Sequence, residues 1–193
     1  LGLSPSATGI IMASRSLGGA LSQFPMGMLA DRFASKRTYF MTAAILWSGV
    51  FYFLIGFASN LAVLAMLAGL LGIGGALWHP PAIGMISSRF PDRRAFAMSM
   101  HGVGAGFGDS VGPIFIGGLL IAFSWQSIFR MTLVPGIVIA VIFYLLMRKA
   151  ATGEGRGHTS MAGYFGALRE AAQHRPLLLS VVAGSARTGG QMT

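Results

Sequence analysis

The chain has no cysteine and little charge, and its acidic residues are especially few. Of its 193 residues 10% are charged, with 14 Lys or Arg against five Asp or Glu, while 54% are hydrophobic. The absence of cysteine excludes a disulfide scaffold and cysteine-based zinc sites. A soluble domain is about 25% charged on average and a disordered chain is poor in apolar residues, so both classes are excluded as well. What remains is a membrane protein with several spans, provided that the apolar residues come in runs of about 20.

The basic residues are distributed unevenly between alternate loops. Eleven of the 14 Lys and Arg residues lie in three clusters, within 32–37, 89–94 and 148–175. Two apolar runs separate each cluster from the next, and the intervening loops contain no Lys or Arg, at 1–6, 57–61 and 122–127. This pattern follows the positive-inside rule, which places the three basic loops in the cytoplasm. The net charge of +9 therefore indicates membrane topology, and we do not expect nucleic acid as a partner.

Apolar runs predict five complete transmembrane helices, at 7–30, 38–57, 61–88, 96–122 and 128–147. A Gly-rich linker and a short interfacial helix are predicted next, at 152–157 and 164–174. The predicted organisation is an all-α polytopic bundle, then a cytoplasmic central loop, then the start of a further helix, over 1–148, 149–176 and 177–193.

The ends of the chain predict that it is a piece of a longer polytopic protein. It begins at Leu1 without Met, and nothing near that end resembles a signal peptide. The last apolar segment ends at Thr193, before it has crossed a membrane. We therefore expect a span before residue 1 and more chain after residue 193.

Glycine is concentrated in the fourth predicted span. Gly104, Gly108 and Gly112 are four residues apart, so they share one helical face and allow another helix backbone to approach closely. Pro113 removes a backbone hydrogen bond and predicts a kink. A dinucleotide-binding loop at 102–108 is disfavoured, because no strand precedes it and it lies within an apolar run. Three glycines of the third span are interpreted as packing positions too, namely Gly72, Gly74 and Gly75.

The turn after the first span carries a motif. Residues 27–37 are Gly-Met-Leu-Ala-Asp-Arg-Phe-Ala-Ser-Lys-Arg. This resembles the loop motif between helices 2 and 3 of the major facilitator superfamily, Gly-x-Leu-Ala-Asp-Arg-x-Gly-x-Lys/Arg. The later Gly of that motif is Ala34 here. The resemblance implies a conformational latch built from Gly27, Asp31, Arg32, Lys36 and Arg37.

A second motif lies in the fourth span. Residues 108–118 resemble the helix-5 antiporter motif of the same superfamily, Gly-x-x-x-Gly-Pro-x-x-Gly-Gly, with one extra residue after the Pro. The residues assigned to it are Gly104, Gly108, Asp109, Gly112, Pro113 and Gly117. The resemblance covers essentially the whole chain, as helices 2–6, the central loop and the start of helix 7 of a 12-helix fold. It implies a half-transporter that lacks its first helix, with the C-terminal half of the same polypeptide as its missing partner.

A narrower likeness lies in the third span. Residues 72–80, Gly-Ile-Gly-Gly-Ala-Leu-Trp-His-Pro, together with Arg93, Arg94 and 104–113, resemble the fosmidomycin-resistance type of bacterial efflux proteins. This likeness implies an antiporter of drug-resistance type in a bacterial cytoplasmic membrane. The helix-4 arginine that is usual in drug antiporters is Ala68 here, so proton coupling in this chain does not use it.

Ionisable groups within spans are the candidates for a substrate or proton site, because they are costly in hydrocarbon and usually face a cavity. Asp109 is the only carboxylate inside a span, and its role is either proton coupling or packing. Arg15 lies at a similar depth, about 24 Å from the cytoplasmic end against about 21 Å for Asp109. The resemblance puts helices 2 and 5 at opposite ends of the half-transporter, however, so we do not expect Arg15 and Asp109 to pair.

Two further candidates follow from the resemblance, which places helices 4 and 7 beside the central cavity. His79 precedes Pro80 and Pro81, where the helix is expected to break its hydrogen-bond ladder, so His79 binds substrate or proton, or is satisfied by a freed carbonyl. Arg187 in the partial helix 7 attracts an anionic substrate or anchors to the interface. Four other residues are assigned to helix packing (His101), the outer interface (Arg130, Trp125) and the cavity wall (Trp78).

Asp31 ends the first span at the cytoplasmic surface, beside the basic residues of the turn. We expect its carboxylate to accept hydrogen bonds from those residues and from the N-terminus of a helix in the other half. This latch forms only while the cytoplasmic side is closed, so it stabilises the outward-facing state.

The sequence as a whole predicts a multi-pass secondary active transporter whose partners are a small-molecule substrate and the lipid bilayer. The first choice of function is proton-coupled efflux of a small drug-like or anionic compound by alternating access, and the second is uptake of a small organic anion or nutrient. A channel is disfavoured because no polar ring lines a pore, and a membrane enzyme because no catalytic set has plausible spacing. No metal and no cofactor are expected, with the proton gradient as the coupling source.

Overall fold

The computed structural model describes residues 3–149 together with 166 and 173, and the first of these ranges is helical almost throughout. Its six α-helices are α1 (Pro5–Arg32), α2 (Arg37–Ile55), α3 (Leu61–Arg89), α4 (Arg94–Ala122), α5 (Trp125–Met131) and α6 (Leu133–Met147). Short 3₁₀ turns precede α2 and α4, at Ala34–Lys36 and Pro91–Arg93. The predicted all-α polytopic fold is confirmed.

Polar side chains begin the helices at the ends away from the basic turns. Ser4 Oγ accepts from Ala7 N at 3.3 Å, and Asn60 Oδ1 accepts from Val63 N at 2.9 Å. Ser124 Oγ caps α5 in the same way. These side chains satisfy donors that the first turn of a helix leaves unpaired. Each non-basic loop of the sequence therefore ends in a residue that starts the next helix.

Four helical stretches of the described residues are long and apolar enough to cross a membrane, at Ala34–Ile55, Leu61–Arg89, Pro91–Ala122 and Trp125–Met147. The first predicted span falls within α1, which has 28 residues and is long enough but less apolar. Arg15, Gln23 and several serines dilute its hydrophobicity. The chain is a multi-pass integral membrane protein, with α1 as its most polar long helix.

The fifth predicted span is two helices instead of one. Residues 128–147 fall partly in α5 and partly in α6, and the two helices meet at Thr132. Pro135 lies in the first turn of α6 and has no N–H to donate to the carbonyl of residue 131. The break is therefore one residue wide and lies three residues before a proline.

The third span, by contrast, is a single helix. The helix is not interrupted at Pro80 and Pro81, since α3 continues through both prolines as 29 helical residues. The two missing N–H groups still leave the carbonyls of Ala76 and Leu77 without their helical donors. Pro113 likewise lies within an uninterrupted α4.

Glycines bring α1 against α3. A Cβ at Gly18 would collide with the carbonyl oxygen of Gly69, and one at Gly72 would collide with the carbonyl oxygen of Arg15. Such contact between backbones is possible only where side chains are absent. We call the set Gly18, Gly19, Gly69 and Gly72 the α1–α3 seam.

A second seam joins α2 to α5 and α6. A Cβ at Gly49 would lie 3.3 Å from the Cα of Gly136, and Thr132 Oγ1 lies 3.4 Å from the carbonyl oxygen of Gly49. Near the other end of α2, Thr38 Oγ1 donates to the carbonyl of Met147 at 3.4 Å. The opposite side of α2 contacts α3, where Trp47 Nε1 donates to the carbonyl of Leu70 at 2.7 Å. The second helix is therefore held on two sides.

The fourth helix has few neighbours among the described residues. None of its residues is buried, and a Cβ at any of its seven glycines would have no neighbouring atom within 4 Å. The face formed by Gly104, Gly108 and Gly112 is thus open in the described part of the chain, and the close helix contact expected there stays a prediction.

The chain divides into two compact units, 1–157 and 158–193. The predicted central loop at 149–176 and the partial helix at 177–193 lie outside the described residues, apart from Lys149, Gly166 and Gln173. Arg187 also lies outside them. The predicted boundaries at 148 and 176 stay predictions.

Candidate functional site

A cavity of about 530 Å³ lies among α1, α2, α3 and the junction of α5 with α6. Its lining comes from the middle of the long helices, and much of it is glycine or aliphatic side chain. The polar and aromatic groups that line it are Arg15, Ser48, Tyr52, Trp78, His79 and Thr132. We call it the central cavity. It has the combination that is typical of small-molecule sites, a largely apolar wall with a few convergent polar groups.

Arg15 contributes a positive charge to this cavity. Among the described residues its guanidinium has no hydrogen-bond or ion-pair partner. Its position is fixed through its backbone, because the carbonyl of Arg15 lies against Gly72 in the α1–α3 seam. A guanidinium has five N–H donors for an anion, and within the described part of the chain no acceptor occupies those of Arg15.

His79 lines the same cavity from α3. Its imidazole has no hydrogen-bond partner among the described side chains and carbonyls, so the alternative of a histidine satisfied by a freed carbonyl finds no support there. Gly75, one turn before His79, leaves space next to the ring, since the nearest atom to a Cβ there is His79 Cδ2 at 3.9 Å. The structure therefore brings together Arg15 and His79, which the sequence proposed separately.

Asp109 lies elsewhere. It is exposed on α4, does not line the central cavity and forms no ion pair with Arg15. The expectation that these two residues do not pair agrees with this placement. His101, which lies on the same helix as Asp109, stacks on Trp78 with ring centroids 6.5 Å apart. Trp78 also contacts Phe143 at 5.4 Å, so it links α3, α4 and α6 beside the cavity.

The turn between α1 and α2 contains an ion pair. Arg37 Nη2 lies 3.5 Å from Asp31 Oδ1, and Arg37 is only 8% exposed while the Asp31 side chain is about half exposed at 47%. The guanidinium of Arg37 occupies the space beside Gly84 on α3, where an added Cβ would lie 2.7 Å from Cζ. Arg37, six residues after Asp31 in the same motif, therefore also contacts a third helix, α3.

The other basic residues of the motif stay on its surface. Arg32 and Lys36 lie over the ring of Phe33, at 5.8 and 5.4 Å from its centroid. Both are exposed, whereas Gly27 is partly buried in the last turns of α1. Of the five residues assigned to the latch, Asp31 and Arg37 therefore form its ion pair within the described part of the chain.

Arg130 lies close to the predicted outer loop at 57–61. Its Nε donates to the carbonyl of Gly56 at 2.9 Å and its guanidinium lies 4.2 Å from the centre of the Phe57 ring, while its assignment to the outer interface stays a prediction. It connects α5 with the end of α2. The sequence signal for this contact is Gly56, which leaves room for the arginine stem, 2.8 Å from an added Cβ.

Sequence reasoning missed three uncharged polar residues of the central cavity. Ser48 and Tyr52 are four residues apart on α2, and Thr132 lies at the junction of α5 and α6. The feature of the sequence that could have indicated them is a hydroxyl group within an otherwise apolar run. Among the described residues no three His, Asp or Glu side chains form a group that holds a metal ion.

Comparison with known proteins gives consistent results. A family model described as Major Facilitator Superfamily matches residues 1–191. The chain is 27% identical over 150 residues to the hexuronate transporter of Bacillus subtilis strain 168, which covers 77% of this chain and 35% of that protein. It is 31% identical over 121 residues to the colistin resistance protein EmrB of Acinetobacter baumannii, which covers 62% of this chain and 23% of that protein. The chain thus spans about a quarter to a third of the length of these relatives.

A solved structure shows the same fold. This is the crystal structure of a bacterial homolog to the human lysosomal transporter Spinster, in an inward-facing and unoccupied conformation. The match has a TM-score of 0.56 at 24% sequence identity, and it covers 82% of this chain and 39% of that chain. The helical arrangement described above is therefore found in a transporter of known structure.

Proposed function

The chain belongs to the Major Facilitator Superfamily, and from this membership we propose that it forms part of a secondary active transporter that binds a small organic anion in the central cavity. The observation that carries the proposal is that Arg15 and His79 line the same cavity between the helices, and that the guanidinium of Arg15 has no partner among the described residues. An ionisable group at such a depth is costly unless it serves a cavity, and an arginine there favours an anion.

Transport follows from alternating exposure of that cavity. In secondary transporters two structural repeats rock about a site near the bilayer midplane, so that the site opens to one side at a time. The α1–α3 seam keeps Arg15 and His79 together, since backbone contact at Gly72 leaves α1 little freedom to slide. The two groups therefore move as one unit when access changes.

Efflux by proton exchange is the first choice of direction. The likeness of residues 72–80 to the fosmidomycin-resistance type supports it, and so does the name of the colistin resistance protein among the relatives. In this mechanism Asp109 takes up the counter-transported proton, because it is the one carboxylate within the five spans predicted from the sequence. Loss of that carboxylate leaves downhill movement of the substrate intact.

Uptake with a proton is the second candidate, and a specific observation favours it. The central cavity contains Arg15 and a titratable histidine, whereas Asp109 does not line it. Protonation of His79 adds a positive charge next to the anion, so that proton and anion bind together and travel in the same direction. The hexuronate transporter among the relatives is named for an anion of this general class.

Flux measurements on the complete gene product test the anion site. Proteoliposomes are assayed with radiolabelled glucuronate and octanesulfonate, for wild type, Arg15→Gln and the control Arg93→Gln. A charge-assisted hydrogen bond contributes about 1.5–3 kcal/mol, so Arg15→Gln should weaken apparent affinity at least about tenfold, while Arg93→Gln on the exposed turn should not. Flux that saturates equally in all three proteins, or no flux above empty liposomes, would overturn the proposal.

The direction of proton movement separates the two mechanisms. When the anion leaves the vesicles down its own gradient, exchange acidifies the lumen and cotransport makes it alkaline, as reported by a trapped pH dye. If the mechanism is exchange, acidification of the lumen should disappear in Asp109→Asn while the anion still leaves the vesicles. If the mechanism is cotransport, alkalinisation of the lumen should disappear in His79→Gln. Proton movement that survives both substitutions would show that neither residue carries the proton.

A further inference from the structure

A second cavity of about 400 Å³ lies toward the end of the bundle that carries no basic turns. Most of its lining residues are near helix ends on that side, for example Leu3 before α1, Ile55 at the end of α2, Leu64 in the first turn of α3 and Trp125 at the start of α5. Apart from Arg15, Tyr52 and the indole of Trp125, its walls are aliphatic or phenyl side chains. We call it the apolar cavity.

The two cavities share part of their walls. Arg15, Tyr52 and Leu71 line both of them. A row of aromatic rings leads from this shared wall into the apolar cavity. The ring centroids of Tyr52 and Phe129 are 5.7 Å apart, and those of Phe129 and Trp125 are 6.0 Å apart. One charged group therefore borders the central cavity, with its few polar groups, on one side and the apolar cavity on the other.

We propose that the transported anion is amphiphilic, with its charged group at Arg15 and an apolar chain or ring in the apolar cavity. This inference rests on the proposed function, because it assigns the class of substrate to the same arginine. A small hydrophilic anion uses Arg15 but leaves the apolar walls unoccupied. An apolar group attached to the anion removes those walls and its own surface from water, which raises affinity in proportion to the area buried.

Neighbouring residues on α1 provide a matched test of the apolar cavity. Ile11 lines it and packs against the cluster of Ile55, Leu64 and Leu71. Ile10 precedes it in the chain, is 50% exposed and does not line either cavity. Ile11→Trp therefore fills the apolar cavity, whereas Ile10→Trp adds the same side chain outside it. Leu64→Phe fills the cavity from α3 and serves as a second variant if Ile11→Trp does not fold.

Binding of two sulfonates measures the contribution of the apolar part. Methanesulfonate and octanesulfonate have the same permanently charged head with one and eight carbons. The complete gene product in lipid nanodiscs is titrated with each, and binding to empty nanodiscs is subtracted. We expect octanesulfonate to bind wild type and Ile10→Trp at least tenfold more tightly than methanesulfonate. In Ile11→Trp or Leu64→Phe this ratio should fall at least fivefold with methanesulfonate binding unchanged, and Arg15→Gln should weaken both ligands.

The outcomes distinguish this inference from the proposed function. If methanesulfonate binds and depends on Arg15 but octanesulfonate binds no more tightly, the apolar compartment is not part of the site and only the inference fails. The inference alone also fails if Ile11→Trp and Leu64→Phe both fold and the ratio of octanesulfonate affinity to methanesulfonate affinity is the same in them as in wild type. If neither sulfonate binds in an Arg15-dependent way, the proposed anion site itself fails.

Discussion

In the turn between α1 and α2, Arg37 is buried while its partner Asp31 is half exposed. The stability of this turn is therefore expected to depend more on the environment of Arg37 than on that of Asp31. A buried charge that loses its partner is destabilising, because its remaining environment does not replace the lost interaction. Gly84 provides the space that the guanidinium occupies. The ion pair thus depends on a glycine that lies 47 residues away in the sequence and that no local motif would select.

Gly84→Ala should displace Arg37 and weaken the Asp31–Arg37 ion pair without unfolding the protein. The new Cβ would meet the far end of a flexible side chain, which moves easily, and not a backbone. We expect the same direction of change as for Asp31→Asn, a larger population of the inward-open form and slower turnover. A partly exposed ion pair contributes about 0.2–1 kcal/mol, so its loss shifts a two-state balance by up to about fivefold.

Spin-label distances across the cytoplasmic side of the complete gene product, together with initial transport rates, measure this effect. Gly102→Ala is the matched control, because a Cβ there meets no atom within 4 Å. Wild-type distances and rates in both Gly84→Ala and Asp31→Asn would contradict the latch.

Residue chemistry predicted part of the candidate site. Arg15 is selected because ionisable side chains in apolar runs are rare, and His79 because it precedes two prolines in a helix that the resemblance places beside the cavity. The structure places both in the lining of one cavity. The same rule selected Asp109, which lies outside that cavity. A sequence gives the depth of a residue along its helix but not which neighbour its face meets. Which neighbour a helix face meets depends on long-range packing. The sequence alone therefore does not identify Tyr52 and Thr132 as cavity residues either.

At the level of helices, glycines have two different environments. In the α1–α3 seam their missing side chains are replaced by the backbone of the partner helix, while on α4 they face open space in the described part of the chain. Helical spacing of glycine is the same in both. It indicates a face suited to close contact and leaves open which helix covers that face.

Gly18→Ala should destabilise the protein, because its Cβ would collide with the backbone carbonyl of Gly69, which cannot move without separating α1 from α3. Overpacking of this kind typically costs about 1–3 kcal/mol. Gly9→Ala lies on the same helix with open space around it and should be neutral. Thermal unfolding in detergent is the measurement, and equal midpoints for the two variants would exclude the seam.

Gly108→Leu tests the open face of α4. Because no described residue lies near Gly108, the substitution should leave the helix content and the α1–α3 seam unchanged. If a helix elsewhere in the complete gene product packs on this face, transport should fall sharply while the protein still inserts and remains folded. Circular dichroism and flux are measured together, and wild-type flux would remove the expected close contact.

The helices themselves were largely predictable. Their bounds differ from the predicted spans by a few residues, because apolar runs, capping side chains and basic turns all coincide at their ends. The junction at Thr132 was not anticipated, although Pro135 provides a local signal for it. The unbroken passage of α3 through Pro80 and Pro81 has no such local signal.

For the molecule as a whole, orientation in the membrane is the most direct prediction. The 193 residues contain no cysteine, so single cysteines at exposed turns report without background from this part of the chain. Ser59 lies in the turn before α3 and Ser35 in the basic turn before α2, and both are exposed. An impermeant maleimide added outside cells should label Ser59→Cys and not Ser35→Cys. The reverse pattern would invert the topology.

The two-sided packing of α2 also has a consequence for biosynthesis. Thr38 and Met147 are 109 residues apart, and Arg130 reaches back 74 residues to Gly56. At about 5–20 residues per second, a ribosome needs on the order of 5–20 s to make the chain between Thr38 and Met147. In the later part of that interval α1, α2 and α3 are complete, but the face of α2 that includes Gly49 has no partner helix. Nascent α2 must therefore shelter this face against lipid or the insertion machinery until α5 and α6 arrive.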